Sequence, residues 1–73
     1  GLFLRLDSQT DPRLHKAQVV TSIFYGPEPL WYYYKDTGRY VRAPQQDFVS
    51  VNPTMLAELK RILGHDNVVY IAQ

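Results

Sequence analysis

In the stretch PLWYYYKDTGRY, residues 29–40, four large rings stand in a row ahead of a polar reversal. Neighbouring residues of a strand point to opposite faces, so Trp31, Tyr32, Tyr33 and Tyr34 cannot form one platform. They divide into pairs. Lys35 closes the row, and an ammonium group is costly beneath a layer of helices. Lys35, Tyr33 and Trp31 are therefore assigned to the face that water reaches, and Leu30, Tyr32 and Tyr34 to the face that helices cover. Asp36 and Gly38 suit a tight turn, so Tyr40 to Ala43 is expected to return antiparallel as the second arm of a hairpin.

Working outward, Leu2, Leu4 and Leu6 alternate with Phe3, Arg5 and Asp7, which predicts a strand with two unlike faces. The segment TDPRLHKAQVVTSIFYG carries both ends of a helix. Thr10 or Asp11 can cap it, Pro12 fits its first turn, and Gly26 can take a left-handed stop. Leu14, Ala17, Thr21 and Phe24, with Val20 and Ile23 beside them, give its apolar stripe. Past the hairpin, Pro44 implies a break before Phe48 to Val51 resumes an extended pattern. A second helix begins with Asn52 as cap and Pro53 in its first turn, buries Met55, Leu56, Leu59, Ile62 and Leu63, and ends at Gly64. Asn67 to Ala72 closes with a strand, where Val69 and Ile71 are expected inward and the more amphipathic Tyr70 outward.

The order β-α-β-β-α-β predicts an α+β fold of the ferredoxin-like kind. Two split β-α-β units would be joined by a hairpin, giving a four-stranded antiparallel sheet with both helices on one face. An alternative peels the Phe48 segment off as a fifth strand. The helix-free face would carry Phe3, Arg5, Trp31, Tyr33, Tyr40, Arg42 and Tyr70. Exposed aromatic surface of this extent with cationic neighbours marks contact with something: a neighbouring domain, a partner protein or stacked bases.

Size and composition narrow the field. Seventy-three residues make one domain, and 45% hydrophobic with 14% aromatic content is globular. Without cysteine there is neither a disulfide framework nor a thiolate metal site, which suits a reducing cytoplasm. The longest apolar run, Leu30 to Tyr34, is too short to span a bilayer. Eight basic against seven acidic residues leave a net charge of +1, weak support for a phosphate-binding surface. The chain begins at Gly1 and enters a strand pattern at once, as expected of a fragment of a larger protein.

No catalytic or metal-binding residues emerge. The carboxylates are scattered over caps, turns and strand ends, with Asp11 and Asp36 suited to capping and turn roles. Acid–base catalysis needs two groups converging at close range, which this spacing does not predict. His15 and His65 have no third ligand at metal spacing, and Ser8, Ser22 and Ser50 have no nearby His–Asp arrangement. QQDFV, residues 45–49, loosely matches the short peptides that bind bacterial sliding clamps, through Gln45, Asp47 and Phe48. Such peptides must be extended and accessible, whereas this one is expected to lead into a strand with Phe48 and Val49 packed.

The succession LFLRLDS…DP, FYGPEPLWYYYKDTGRYVRAP and VNPTMLAELKRILGHDNVV resembles the extreme C-terminal domain of the bacterial DNA polymerase III alpha subunit over nearly the whole chain. Its most specific parts are the Tyr25-Gly26-Pro27 turn and ELKRILGHDNVV. The resemblance implies a cytoplasmic replicative polymerase as parent, a nucleotidyltransferase whose magnesium-bound aspartates lie outside this stretch. It also implies a non-catalytic docking role toward the tau subunit of the clamp loader, beside an OB-fold domain and a clamp-binding peptide, with DNA met through the parent. A single-stranded nucleic-acid binder that stacks bases on the sheet rings is the competing class.

Overall fold

The computed structural model describes residues 1–72. Five strands and two helices follow one another as β1 (Leu2–Leu6), α1 (Arg13–Ile23), β2 (Tyr25–Glu28), β3 (Leu30–Tyr34), β4 (Arg39–Arg42), α2 (Pro53–Leu63) and β5 (Val68–Tyr70). Four strands form one sheet in the order β4-β3-β1-β5. β1 pairs with β3 in parallel, Leu2 opposite Leu30 and Leu6 opposite Tyr34. β5 lies antiparallel to β1, and β4 antiparallel to β3.

This mixed sheet corrects the ferredoxin-like expectation of a fully antiparallel one. In that arrangement β4 would sit between β3 and β1; here β1 and β3 are direct neighbours and β4 is an edge. Side-chain content explains the difference. β1 offers Leu2, Leu4 and Leu6 to the helix side, and β3 offers Leu30, Tyr32 and Tyr34, all six buried. β4 reads Arg-Tyr-Val-Arg, and all four of its residues are exposed. A short strand with a charge at each end is typical of a sheet edge, whereas a central strand needs apolar side chains to bury.

The alternation assigned to the ring row holds. Tyr32 and Tyr34 are buried with the leucines, while Trp31 and Tyr33 lie on the other face. Both helices cover the first face: Ala17 and Val20 from α1 and Met55, Leu59 and Leu63 from α2 join the strand leucines in one core. Burial pushes the Tyr32 and Tyr34 hydroxyls above the usual tyrosine range.

The helix ends follow from their punctuation. The Asn52 carboxamide oxygen accepts the Met55 N–H at 2.9 Å, Pro53 opens α2, and Gly64 stops it at φ 96°. At α1, Asp11 supplies the side-chain acceptor: its Oδ1 takes the Arg13 N–H at 2.9 Å. The outward side of α1 departs from expectation, because Ile23 is 70% exposed beside Tyr25 rather than part of the apolar stripe.

Gly26 is not a left-handed stop; among the described residues positive φ is confined to Gly38 and Gly64. It is glycine because two chain segments meet there. Its N–H donates to the Phe48 carbonyl at 3.2 Å, and the Ser50 N–H donates to the Phe24 carbonyl at 2.6 Å. A Cβ at residue 26 would lie 2.6 Å from the Ser50 backbone nitrogen. Tyr25-Gly26-Pro27, expected as a turn, is thus strand β2, which bridges Val49 through Tyr25 and Glu28. The Phe48 segment lies outside the main sheet but is not the fifth strand of the alternative: only Val49 bridges, and the fifth strand is Tyr25–Glu28.

β5 has the opposite phase to that expected. Val68 is buried, Val69 is 48% exposed, and Tyr70 lies opposite Leu2 on the helix side. The expectation placed Tyr70 outward because of its hydroxyl. That hydroxyl instead donates to the Glu28 carboxylate at 2.5 Å, so the ring can lie at the rim of the core without an unsatisfied polar group. This bond is also the main reason why its ionisation is pushed up.

Candidate functional site

With the helices on one side, the opposite face of the sheet carries a grid fixed by strand register. One row runs Val69, Phe3, Trp31, Arg42; the next holds Arg5, Tyr33 and Tyr40. Pleat alternation alone puts these side chains on a single face. Of the seven residues expected there, six, Phe3, Arg5, Trp31, Tyr33, Tyr40 and Arg42, are brought together. Tyr70 is not, for the reason given above, and Val69 takes its place.

The rings contact one another. Phe3 and Trp31 stack with centroids 6.0 Å apart and planes 14° from parallel, and Tyr40 meets the Phe3 ring edge-on at 6.1 Å. Tyr33 and Tyr40 tilt together at 4.8 Å. Cross-strand aromatic pairs of this kind add of the order of 0.5–1 kcal/mol each to sheet stability. The cluster is nevertheless open to solvent, with Tyr40 62% exposed. A shallow depression of about 430 Å³ lies beside it, walled by Phe3, Arg5, Tyr33, Tyr40 and Val69 and extended by the 57%-exposed Ile71.

Two guanidinium groups complete the face. Arg5 is held by its Nε donating to Asn67 Oδ1 at 2.9 Å and its Nη2 donating to the Asp66 carbonyl at 3.2 Å. The Arg42 guanidinium lies over the rings of Trp31 and Phe48, at 5.9 and 5.1 Å from their centroids. Lys35, assigned to the same face, pairs with Asp7 at 3.5 Å.

The arrangement offers an apolar surface edged by two cations. No three His, Cys, Asp or Glu residues among the described ones gather as a metal site. The most perturbed carboxylate, Asp11, is held far below the usual range chiefly by its hydrogen bonds with Arg13, and its position at the start of α1 is architectural. No helix among the described residues is long and apolar enough to cross a membrane.

The face resembles the centre of protein interfaces, where aromatic residues and arginine are enriched. Against known sequences, the chain is 28% identical over 71 residues to the DNA polymerase III subunit alpha of Halalkalibacterium halodurans. The match is collinear with nearly the whole domain. It covers 93% of this chain but spans only 6% of that protein's length. No family model matches the chain, and no solved structure matches it. The likeness is therefore of low identity and confined to a small part of the relative.

QQDFV occupies a different part of the molecule. Gln45 to Asp47 form a single 3-10 turn, with Gln45 and Asp47 exposed, while Phe48 and Val49 are buried. The two apolar residues that a clamp peptide would present are thus packed inside. What the sequence reasoning missed, Val69 and Ile71, carried only an ambiguous signal. Both phases of VVYIA alternate apolar residues, and the deciding partner, Glu28, lies 42 positions from Tyr70.

Proposed function

We propose that this domain is a non-catalytic protein-docking module of a replicative DNA polymerase, engaging a partner through the helix-free face of its sheet. The carrying observation is the solvent-open cluster of Phe3, Trp31, Tyr33 and Tyr40, flanked by Arg5 and Arg42. Rigid rings already packed on one another lose little side-chain entropy when a partner covers them, which is why such residues dominate interface energetics. The low-identity similarity to the DNA polymerase III subunit alpha supports a replication-related context for the module; the tau subunit of the clamp loader is the partner we propose, on the sequence resemblance to the C-terminal domain of that subunit.

Isothermal titration of the 73-residue chain with the C-terminal region of tau tests this directly. Binding is expected, weakened about tenfold or more by Tyr40→Ala, a loss typical of a central interface ring. Because Tyr40 is mostly exposed, that variant should retain its fold. Absence of heat exchange with tau, or unchanged affinity in the variant, would count against the proposal.

A further inference from the structure

We infer that the open face takes an acidic, apolar segment of a partner protein, with apolar side chains on the ring cluster and carboxylates on Arg5 and Arg42. This rests on the docking role proposed above and specifies the chemistry of what docks. Shape supplies the apolar half: Phe3, Tyr33, Tyr40 and Val69 wall a depression open to water, which no described residue fills.

Charge supplies the other half. Arg13, Lys35 and Arg61 each have a carboxylate within ion-pair distance; among the described residues Arg5, Lys16, Arg39, Arg42 and Lys60 have none, and of these five Arg5 and Arg42 are the two that stand on the ring-bearing face. Asp66, at the rim of the depression, turns its carboxylate toward His65 at 3.4 Å, leaving only its backbone carbonyl to Arg5. Both guanidinium groups are nonetheless oriented. Arg5 uses Nε and Nη2 on Asn67 and Asp66, which leaves Nη1 to donate outward. Arg42 lies against Trp31 and Phe48, and a guanidinium stacked on rings keeps its edge N–H groups available to a carboxylate.

The spacing is defined as well. Arg5 and Arg42 stand two strands apart and one pleat repeat apart, placing their Cα atoms roughly 12 Å from one another. An extended segment covers that span in about four residues, so two acidic positions about four apart, with apolar residues between them, fit the face. A nucleic-acid backbone fits less well, because its phosphates call for more cations than two and the chain's net charge is only +1.

The test uses a short labelled peptide with two aspartates at that spacing around leucine and phenylalanine, and its twin with asparagines in their place. Fluorescence anisotropy with the 73-residue chain should show the aspartate peptide binding about fivefold tighter, a preference that fades with added salt. Arg42→Gln, and separately Arg5→Gln, should remove most of the preference, weakening the aspartate peptide more than its asparagine twin. Arg42 makes no side-chain hydrogen bond among the described residues, so its variant gives a reading even if Arg5→Gln disturbs the Asn67 turn. Equal binding of the twins, no binding of either, or displacement of the aspartate peptide by a single-stranded oligonucleotide would overturn the inference. Tau binding without an acid preference would remove this inference and keep the docking role. An acid preference without tau binding would keep the inference and remove tau as the partner.

Discussion

Asp11 shows how one side chain can join two elements. Its Oδ2 accepts the Asp7 N–H at 3.0 Å and Arg13 Nη2 at 2.7 Å, while its Oδ1 accepts the Arg13 N–H and Nε. The end of β1 and the start of α1 therefore share one buried carboxylate. Asp11→Asn replaces an acceptor with an amide that faces donors, and is expected to cost about 2 kcal/mol in urea denaturation at neutral pH. The pH dependence has a definite sign. Arg13 lowers the folded-state pKa below the ordinary value near 3.9, so the stabilisation is complete above about pH 4 and declines as pH falls further. The stability gap between wild type and Asp11→Asn should therefore narrow in acid. Gly26→Ala should be similarly damaging, by about 2 kcal/mol, because its Cβ would meet the Ser50 backbone. A variant as stable as wild type would mean that the Phe24–Ser50 crossing is looser than described.

At the scale of elements, the strands and helices were legible because local signals agreed with one another. Asn52, Pro53 and Gly64 bracket α2, and alternation placed Trp31 and Tyr33 opposite Tyr32 and Tyr34. Strand order was less legible, because it depends on a comparison between strands that no single segment contains. The exposed Arg39–Arg42 hairpin arm belongs at an edge, and β1 and β3, each with three inward apolar residues, belong together. The phase of β5 and the outward Ile23 were hidden for a related reason: each is settled by tertiary neighbours, Glu28 for Tyr70 and the limits of the helix-covered core for Ile23. Four of the six residues proposed for docking lie on β3 and β4, the best-marked hairpin, which is why the candidate surface could be read at all. Hydrogen exchange checks the strand order. Amides in β1 and β3 should exchange slowest in the sheet, and those of β4 that point away from β3 fastest. Nuclear Overhauser contacts between Leu4 and Tyr32 backbones are expected; contacts between β1 and β4 backbones in their place would restore the antiparallel order.

The domain has two layers: helices bury one face of a four-stranded sheet, and the other face presents rings and two guanidinium groups that have no carboxylate partner among the described residues. An exposed face of this composition is costly to maintain unless something covers it. A second apolar area, Val19, Ile23 and Tyr25 around the end of α1, lies on the helix side and offers a built-in control for where a partner lands. The most direct measurement is a ¹⁵N-resolved titration of the domain with the C-terminal region of tau, following backbone amides and the Trp31 indole. The account predicts one contiguous set of perturbed signals at Phe3, Arg5, Trp31, Tyr33, Tyr40, Arg42 and Val69, with Val19, Ile23 and Tyr25 unmoved. Perturbations centred on α1, or none anywhere, would contradict it.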